Sequence, residues 1–216
     1  MRGVKPPPMS GKFITLEGGE GAGKTTQIKL LADALKAGGL DPIITREPGG
    51  SPAAEVIRSL LVEGAVDRWQ PMTEALLNFA ARLEHVQATI EPALAAGRWV
   101  LCDRFADSTV AYQGYGHGLD RAMLQDLSAR VLDEFAPDAT LILDIPVDVG
   151  LARAASRDGG EDRYERMDRA FHERLRQGFL EIARHEPDRC IVIDASADMA
   201  AVQAAIAGAI AARFPG

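Results

Sequence analysis

The sequence predicts an α/β fold, a five-stranded parallel sheet covered by helices on both faces. Two observations carry that expectation. Five short apolar runs recur along the chain, and stretches with helical spacing of apolar residues separate them. The runs also lack the polar alternation of a half-exposed strand, as strands buried on both faces should. In chain order, Lys12–Glu17 reads as the first strand and ends in a glycine-rich turn; Lys24–Ala37 reads as the helix after it. Asp41–Thr45 reads as a second strand, followed by the loop Glu47-Pro48-Gly49-Gly50-Ser51-Pro52. Helices are expected at about Ala53–Val62 and, longer, at about Met72–Ala96. Trp99–Cys102 is a third strand, Ala139–Leu143 a fourth and Cys190–Ile193 a fifth. Helices at about Arg121–Phe135, Arg166–His185 and Met199–Arg213 fill the remaining gaps.

At 216 residues the chain suits one domain, here residues 11–216, and no internal repeat is visible. Residues 1–10 carry three successive prolines and no apolar stretch, so they read as a disordered extension rather than a secretory signal; Met9 is an alternative start. No apolar run approaches the ~18 residues of a membrane span, so no membrane partner is expected. The net charge of −7 argues against holding polymeric nucleic acid, which calls for a basic footprint. Cys102 and Cys190 border apolar runs and read as buried, reduced thiols of a cytoplasmic protein. The four histidines show no metal-ligand spacing with them.

Chemistry enters with Gly18-Gly19-Glu20-Gly21-Ala22-Gly23-Lys24-Thr25-Thr26, which fits G-x-x-x-x-G-K-[ST] at every fixed position. Glycines let backbone N–H groups converge on phosphate oxygens, and the helix that follows turns its positive end to the same anion. Lys24 can reach the outer phosphates, and the Thr25 hydroxyl is placed for Mg²⁺. The motif lies between an expected strand and an expected helix, the context it requires. A nucleotide-binding P-loop is therefore expected. The guanine-reading N-K-x-D of a regulatory GTPase is absent, and a motor or helicase normally needs more chain, so elimination favours a small kinase.

The acceptor side is read from Asp103-Arg104-Phe105-Ala106-Asp107-Ser108-Thr109-Val110-Ala111-Tyr112-Gln113-Gly114. Asp103 ends a buried strand, where an open α/β sheet places its ligands, and a carboxylate there can hold Mg²⁺ directly or through water. With Phe105–Tyr112 helical, Arg104, Ser108 and Tyr112 share one drifting face that offers a cation, a hydroxyl and a ring. Gln113 falls half a turn away, so periodicity leaves it outside. The plainer reading is a surface helix with a salt bridge from Arg104. Between Asp148 and Arg169, Arg153, Arg157, Arg163 and Arg166 surround Asp158-Gly159-Gly160-Glu161-Asp162, a lid whose arginines can close over phosphates or a solvated charged loop.

Four segments together carry a resemblance: Glu17–Thr26; Thr45-Arg46-Glu47-Pro48-Gly49-Gly50; Asp103-Arg104-Phe105 with Ser108 and Ala111-Tyr112-Gln113-Gly114; and Gly150-Leu151-Ala152-Arg153 leading to Asp162-Arg163. In that order they resemble the thymidylate kinases, nucleoside monophosphate kinases with a P-loop kinase fold and a lid, here about 150–166. The resemblance implies transfer of the γ-phosphoryl of ATP to dTMP in a Mg²⁺-dependent cytoplasmic homodimer. It places Gly18–Thr26 on ATP, and Arg104 on the dTMP phosphate. Tyr112 is placed beside the sugar, where it disfavours a 2′-hydroxyl; Gln113 helps hold the nucleotide, and Arg82 faces thymine. Glu20 corresponds to an acidic position near the metal and the acceptor sugar. The Thr45–Gly50 segment, with Glu47 and Pro48, wraps the acceptor, although Arg46 and Glu47 can equally form a structural ion pair. No arginine is available at the variable P-loop positions, so the resemblance gives the transition-state arginine to the lid, Arg157 first and Arg153 second. Asp103 reads as a metal organiser rather than a base, since an acceptor phosphate oxygen is already ionised. Many relatives stack thymine on a Phe four residues before the helix arginine; this chain has Asn78 there and Phe79 beside it, so either Phe79 swings in or the base is held differently. A kinase for another nucleotide, or a nucleotide-binding switch without transferase activity, remain the alternatives.

Overall fold

The computed structural model describes residues 11–156 and 163–215. Its centre is a parallel sheet of β1 (Phe13–Glu17), β2 (Ile43–Arg46), β3 (Val100–Asp103), β4 (Ala139–Asp144) and β5 (Cys190–Asp194), in the order β2-β3-β1-β4-β5. All four pairings are parallel, so the carboxyl ends of the strands share one edge. The β1 side chains alternate between two cores. Ile14 and Leu16 meet Ile28 and Leu31 of α1 (Lys24–Ala37) and Val202, Ile206 and Ile210 of α9 (Met199–Arg213). On the opposite face Phe13 packs with Val86, Ile90 and Phe105, while Ile142 of β4 meets Phe171, Leu175 and Phe179 of α8 (Arg169–His185).

The other helices are α2 (Pro52–Val62), α3 (Pro71–His85), α4 (Glu91–Ala95), α5 (Ala106–Thr109), α6 (Arg121–Leu132) and α7 (Val147–Ala155). Two expected helices differ in a way that matters for the site. The long helix expected over Met72–Ala96 is α3 and α4 joined by a π-helical turn, Val86–Ile90. Pro92 has no N–H to give, and the wider register just before it, with Glu91 N–H donating to Val86 O, lets the chain stay helical. The expected Phe105–Tyr112 helix starts one residue later, as α5, and opens into a π-helix over Val110–Gly116. Smaller differences lie at helix ends: Asp133 stops α6 with φ 53°, and Asp168 caps α8 at Phe171 N–H. Among the described residues no helix is long and apolar enough to cross a membrane.

Candidate active site

Between β1 and α1 the chain turns through Gly18, Gly21 and Gly23, whose φ angles of 135°, 66° and 89° suit glycine. At Gly21 the approach is also close: a Cβ there would overlap the carbonyl oxygen of Gly150 at the start of α7. Lys24 folds back over the loop, its Nζ donating to Gly18 O at 3.0 Å and Gly19 O at 2.8 Å. Burial, and then the Arg104 charge, lower its pKa to about 8. Thr25 Oγ1 donates to Asp103 Oδ2 at 2.9 Å, bringing two side-chain oxygens together beside the loop. Thr26 is exposed on the same first turn.

Arg104 follows β3 with φ 69°, a conformation costly for a side chain other than glycine or asparagine. Two contacts hold it there. Its own N–H donates to Leu16 O at 2.9 Å, and the buried Glu17 carboxylate grips both ends of the next turn, accepting from Phe105 N–H at 2.7 Å and Ser108 Oγ at 2.6 Å. Burial, and then Asp107, raise the Glu17 pKa to about 7. The Arg104 guanidinium is thereby aimed at the P-loop: Nη1 donates to Gly18 O at 3.1 Å and lies 3.4 Å from Ser108 Oγ, and Nη2 donates to Glu20 Oε1 at 2.8 Å. The same Glu20 oxygen accepts from Tyr112 Oη at 2.5 Å, and Arg104 lies over the Tyr112 ring at 5.0 Å. Burial works to raise the Glu20 pKa, but Arg104 and then Lys24 outweigh it and hold the pKa at about 2.

This cluster forms one end of a cavity of about 80 Å³, lined also by Glu47, Pro48, Arg58, Asn78, Thr109, Gln113 and Tyr164. Glu47 is buried and does not pair with Arg46, which bonds Glu55 instead. It accepts from Arg82 Nε at 2.7 Å and sits 3.1 Å from His85 Nδ1. Arg82 Nη2 bonds Phe105 O and Thr109 Oγ1, both at 3.0 Å, while its buried Nη1 has no hydrogen-bond partner. Gln113 enters the site although 3.6-residue periodicity left it out. The chain widens from α5 into the π-helix before Gln113, which lines the same cavity as Ser108, and its Nε2 donates to Glu74 Oε1 at 2.6 Å. Phe79 does not swing in: it is buried with Ala75 and Leu124, 5.3 Å from the Arg82 guanidinium, and Asn78 takes the cavity wall.

The arginines expected in the lid have separate fates. Arg163 is fully buried, donating to Leu61 O at 3.0 Å, Val66 O at 2.9 Å and the Glu74 carboxylate. Arg166 donates to Gly64 O. Carbonyls at the end of α2 and in the α2–α3 connection engage both. Arg153 donates to Ala195 O at 2.9 Å and Ser196 O at 3.2 Å, beyond the end of β5. Arg157 lies outside the described residues.

Sequence reasoning passed over Glu17 as an anchor and missed Arg58, Glu74, His85 and Tyr164. A signal existed for two of them. Glu74, Asn78, Arg82 and His85 recur at helical spacing among the inward residues of α3, and polar side chains on a buried face mark a network or a site.

Comparison with known proteins bears on the whole chain. A family model described as thymidylate kinase matches residues 16–206. A thymidylate kinase of Caulobacter vibrioides is 60% identical over 204 residues, covering 94% of this chain and 98% of the relative. One of Rhizorhabdus wittichii is 51% identical over 208 residues, covering 96% of this chain and 100% of the relative. A crystal structure of thymidylate kinase from Ehrlichia chaffeensis superposes with a TM-score of 0.74 at 36% identity, covering 93% of this chain and 99% of that one.

Proposed function

The chain belongs to the thymidylate kinase family, and from that premise we propose how its residues divide the work of the reaction. The enzyme transfers the γ-phosphoryl group of ATP to dTMP, giving dTDP and ADP in dTTP biosynthesis. The observation that carries our assignment is the Gly18 carbonyl. Lys24 from the P-loop and Arg104 from the acceptor side both donate to it, so one cation of each half-site stands at the same point. Phosphoryl transfer needs cations where charge spreads and the reacting oxygens in line, and little covalent chemistry. We assign Gly18–Thr26 to the ATP phosphates and Arg104 to the dTMP phosphate. Glu20, ionised and bonded to both Arg104 and Tyr112, fixes their positions against the acceptor sugar. Ser108, Tyr112, Gln113, Glu47 and Pro48 form the acceptor pocket; Arg82 lies buried behind its wall, bonded to Glu47 and Thr109, and its unpartnered Nη1 supports a polar contact to the base.

The donor set at Thr25 and Asp103 fits Mg²⁺, which takes few protein oxygens and keeps water and phosphate as its other ligands; Glu20 would serve it from the acceptor side. When bound, the ion neutralises phosphate charge. Among the described residues no group of three or more histidine, cysteine, aspartate or glutamate side chains offers an alternative metal centre. The sequence resemblance supports Arg157, and next Arg153, as the transition-state arginine, in a lid at about residues 150–166. A homodimer is supported by exposed apolar side chains on adjacent helices, Val56 and Leu60 on α2 and Met72, Leu76 and Leu83 on α3. Two buried free cysteines support a reducing, cytoplasmic setting.

The test is ADP release from ATP–Mg²⁺ with dTMP, dUMP, dCMP, dGMP, AMP, thymidine or no acceptor. Release stimulated strongly by dTMP, weakly by dUMP and hardly by the rest is expected. Stimulation by a different acceptor overturns the pocket assignment, and its absence with all acceptors overturns the activity.

A further inference from the structure

Asn78 leaves the acceptor cavity without the helix aromatic that the sequence comparison leads one to look for. The structure puts another ring at this wall. Tyr164 borders the cavity together with Asn78. Its ring meets Tyr112 edge to face, with centroids 5.1 Å apart and planes at 81°. The position is rigid for a reason visible one residue earlier. Arg163 is tied to Leu61, Val66 and Glu74, so the backbone that presents Tyr164 is fixed to α2 and α3. The guanidinium of Arg163 also covers the Tyr164 ring at 4.7 Å. Asn78 in turn is held by its own helix, Nδ2 donating to Glu74 O at 2.9 Å. Because Asn78 and Tyr164 line the same cavity, a large ring at position 78 would compete with Tyr164 for its space; the short amide leaves that space to Tyr164.

We propose that Tyr164 is a specificity-determining residue, the aromatic wall against which the base of the acceptor nucleotide rests, with the short side chain of Asn78 making room for it. A flat ring buried beside a polar pocket suits a planar pyrimidine, and base–aromatic contact is worth enough to change affinity roughly 10-fold. The inference rests on the cavity being the dTMP site.

Calorimetric binding of dTMP without ATP, with KM for dTMP and for ATP, decides it on Tyr164→Leu, Tyr164→Phe and Asn78→Phe. Tyr164→Leu is expected to weaken dTMP about 10-fold and leave KM for ATP within about twofold. Tyr164→Phe keeps the ring and should stay within about threefold of the parent. Asn78→Phe crowds Tyr164 and should weaken dTMP with ATP unaffected. Unchanged dTMP affinity in Tyr164→Leu, equal loss for both nucleotides, or loss in Tyr164→Phe as large as in Tyr164→Leu each overturns the proposal. Should Tyr164→Leu fail to fold, unchanged or tighter dTMP binding by Asn78→Phe overturns it alone. A parent that does not turn over dTMP defeats the pocket assignment, whereas an active parent with indifferent variants defeats only the role of Tyr164.

Discussion

The Gly18 carbonyl oxygen accepts from two cations, Lys24 at 3.0 Å and Arg104 at 3.1 Å; as a neutral acceptor it cancels neither charge, and Arg104 is in addition ion-paired with Glu20 at 2.8 Å. Lys24 is therefore held in place by neutral carbonyls, whereas Arg104 is aimed by a carboxylate as well. Replacing Lys24 with alanine should lower kcat about 10²- to 10³-fold while the melting temperature changes little, which steady-state kinetics beside thermal melts will check. Glu17 makes a different kind of prediction. Its carboxyl, ordinarily near 4.5, is raised to about 7 by burial and by Asp107, with Arg104 and the bonds from Ser108 and Phe105 opposing. Between those values the folded chain binds more protons than the unfolded one, so this group removes stability as pH rises through the window. Glu17→Gln abolishes that titration, and its urea midpoint relative to the parent should therefore improve from pH 4.5 to pH 7.5. A constant difference across that range would contradict the raised pKa. Neither anchoring role is legible from residue type, because Glu17 looks like the polar end of any buried strand, and its partners lie about ninety residues downstream.

At the scale of elements, α3 and the two π-helical turns decide the acceptor side. The inward face of α3 carries Glu74, Asn78, Arg82 and His85, a pattern readable as helical spacing in the sequence. What spacing did not supply is the identity of the partners. Arg163 looks like one more cation of a charged loop, yet it is the counter-ion of Glu74 and the clasp of the α2–α3 connection. Arg163→Met leaves Glu74 buried without its cation and should cost about 3–5 kcal/mol, read from denaturant unfolding, with Glu74→Gln in the same chain recovering part of the loss. The π-helix at Val110–Gly116 was equally hidden, since a 3.6-residue count sends Gln113 away from Ser108 while the wider turn returns it. The five strands, the P-loop and the trio Arg104, Ser108 and Tyr112 were legible because each depends on local pattern.

For the whole molecule, the outer faces of α2 and α3 carry the apolar side chains that water should not meet. Leu76 is 50% exposed and Val56 66% exposed, in a chain of 23.1 kDa. Sedimentation should give the parent twice that mass, and Leu76→Glu with Val56→Asp should give the single mass; a monomeric parent would refute the dimer. The strand order has a consequence of another kind. Strands β2 and β3, with every helix from α2 to α6, form one uninterrupted stretch of chain from Ile43 to Leu132, while β1, β4 and β5 flank it. On our assignment the acceptor side is thus a single cassette set into the frame that carries the P-loop, and such a cassette can be exchanged as one continuous piece of chain. It is not self-sufficient: Glu20 and Tyr164 belong to the frame but line the cassette's cavity, and Arg163 of the frame holds Glu74. A chimera that imports residues 43–132 alone would set a foreign pocket against the native Glu20 and Tyr164, so on our proposal the unit of inheritance for acceptor choice is the cassette together with those distant partners.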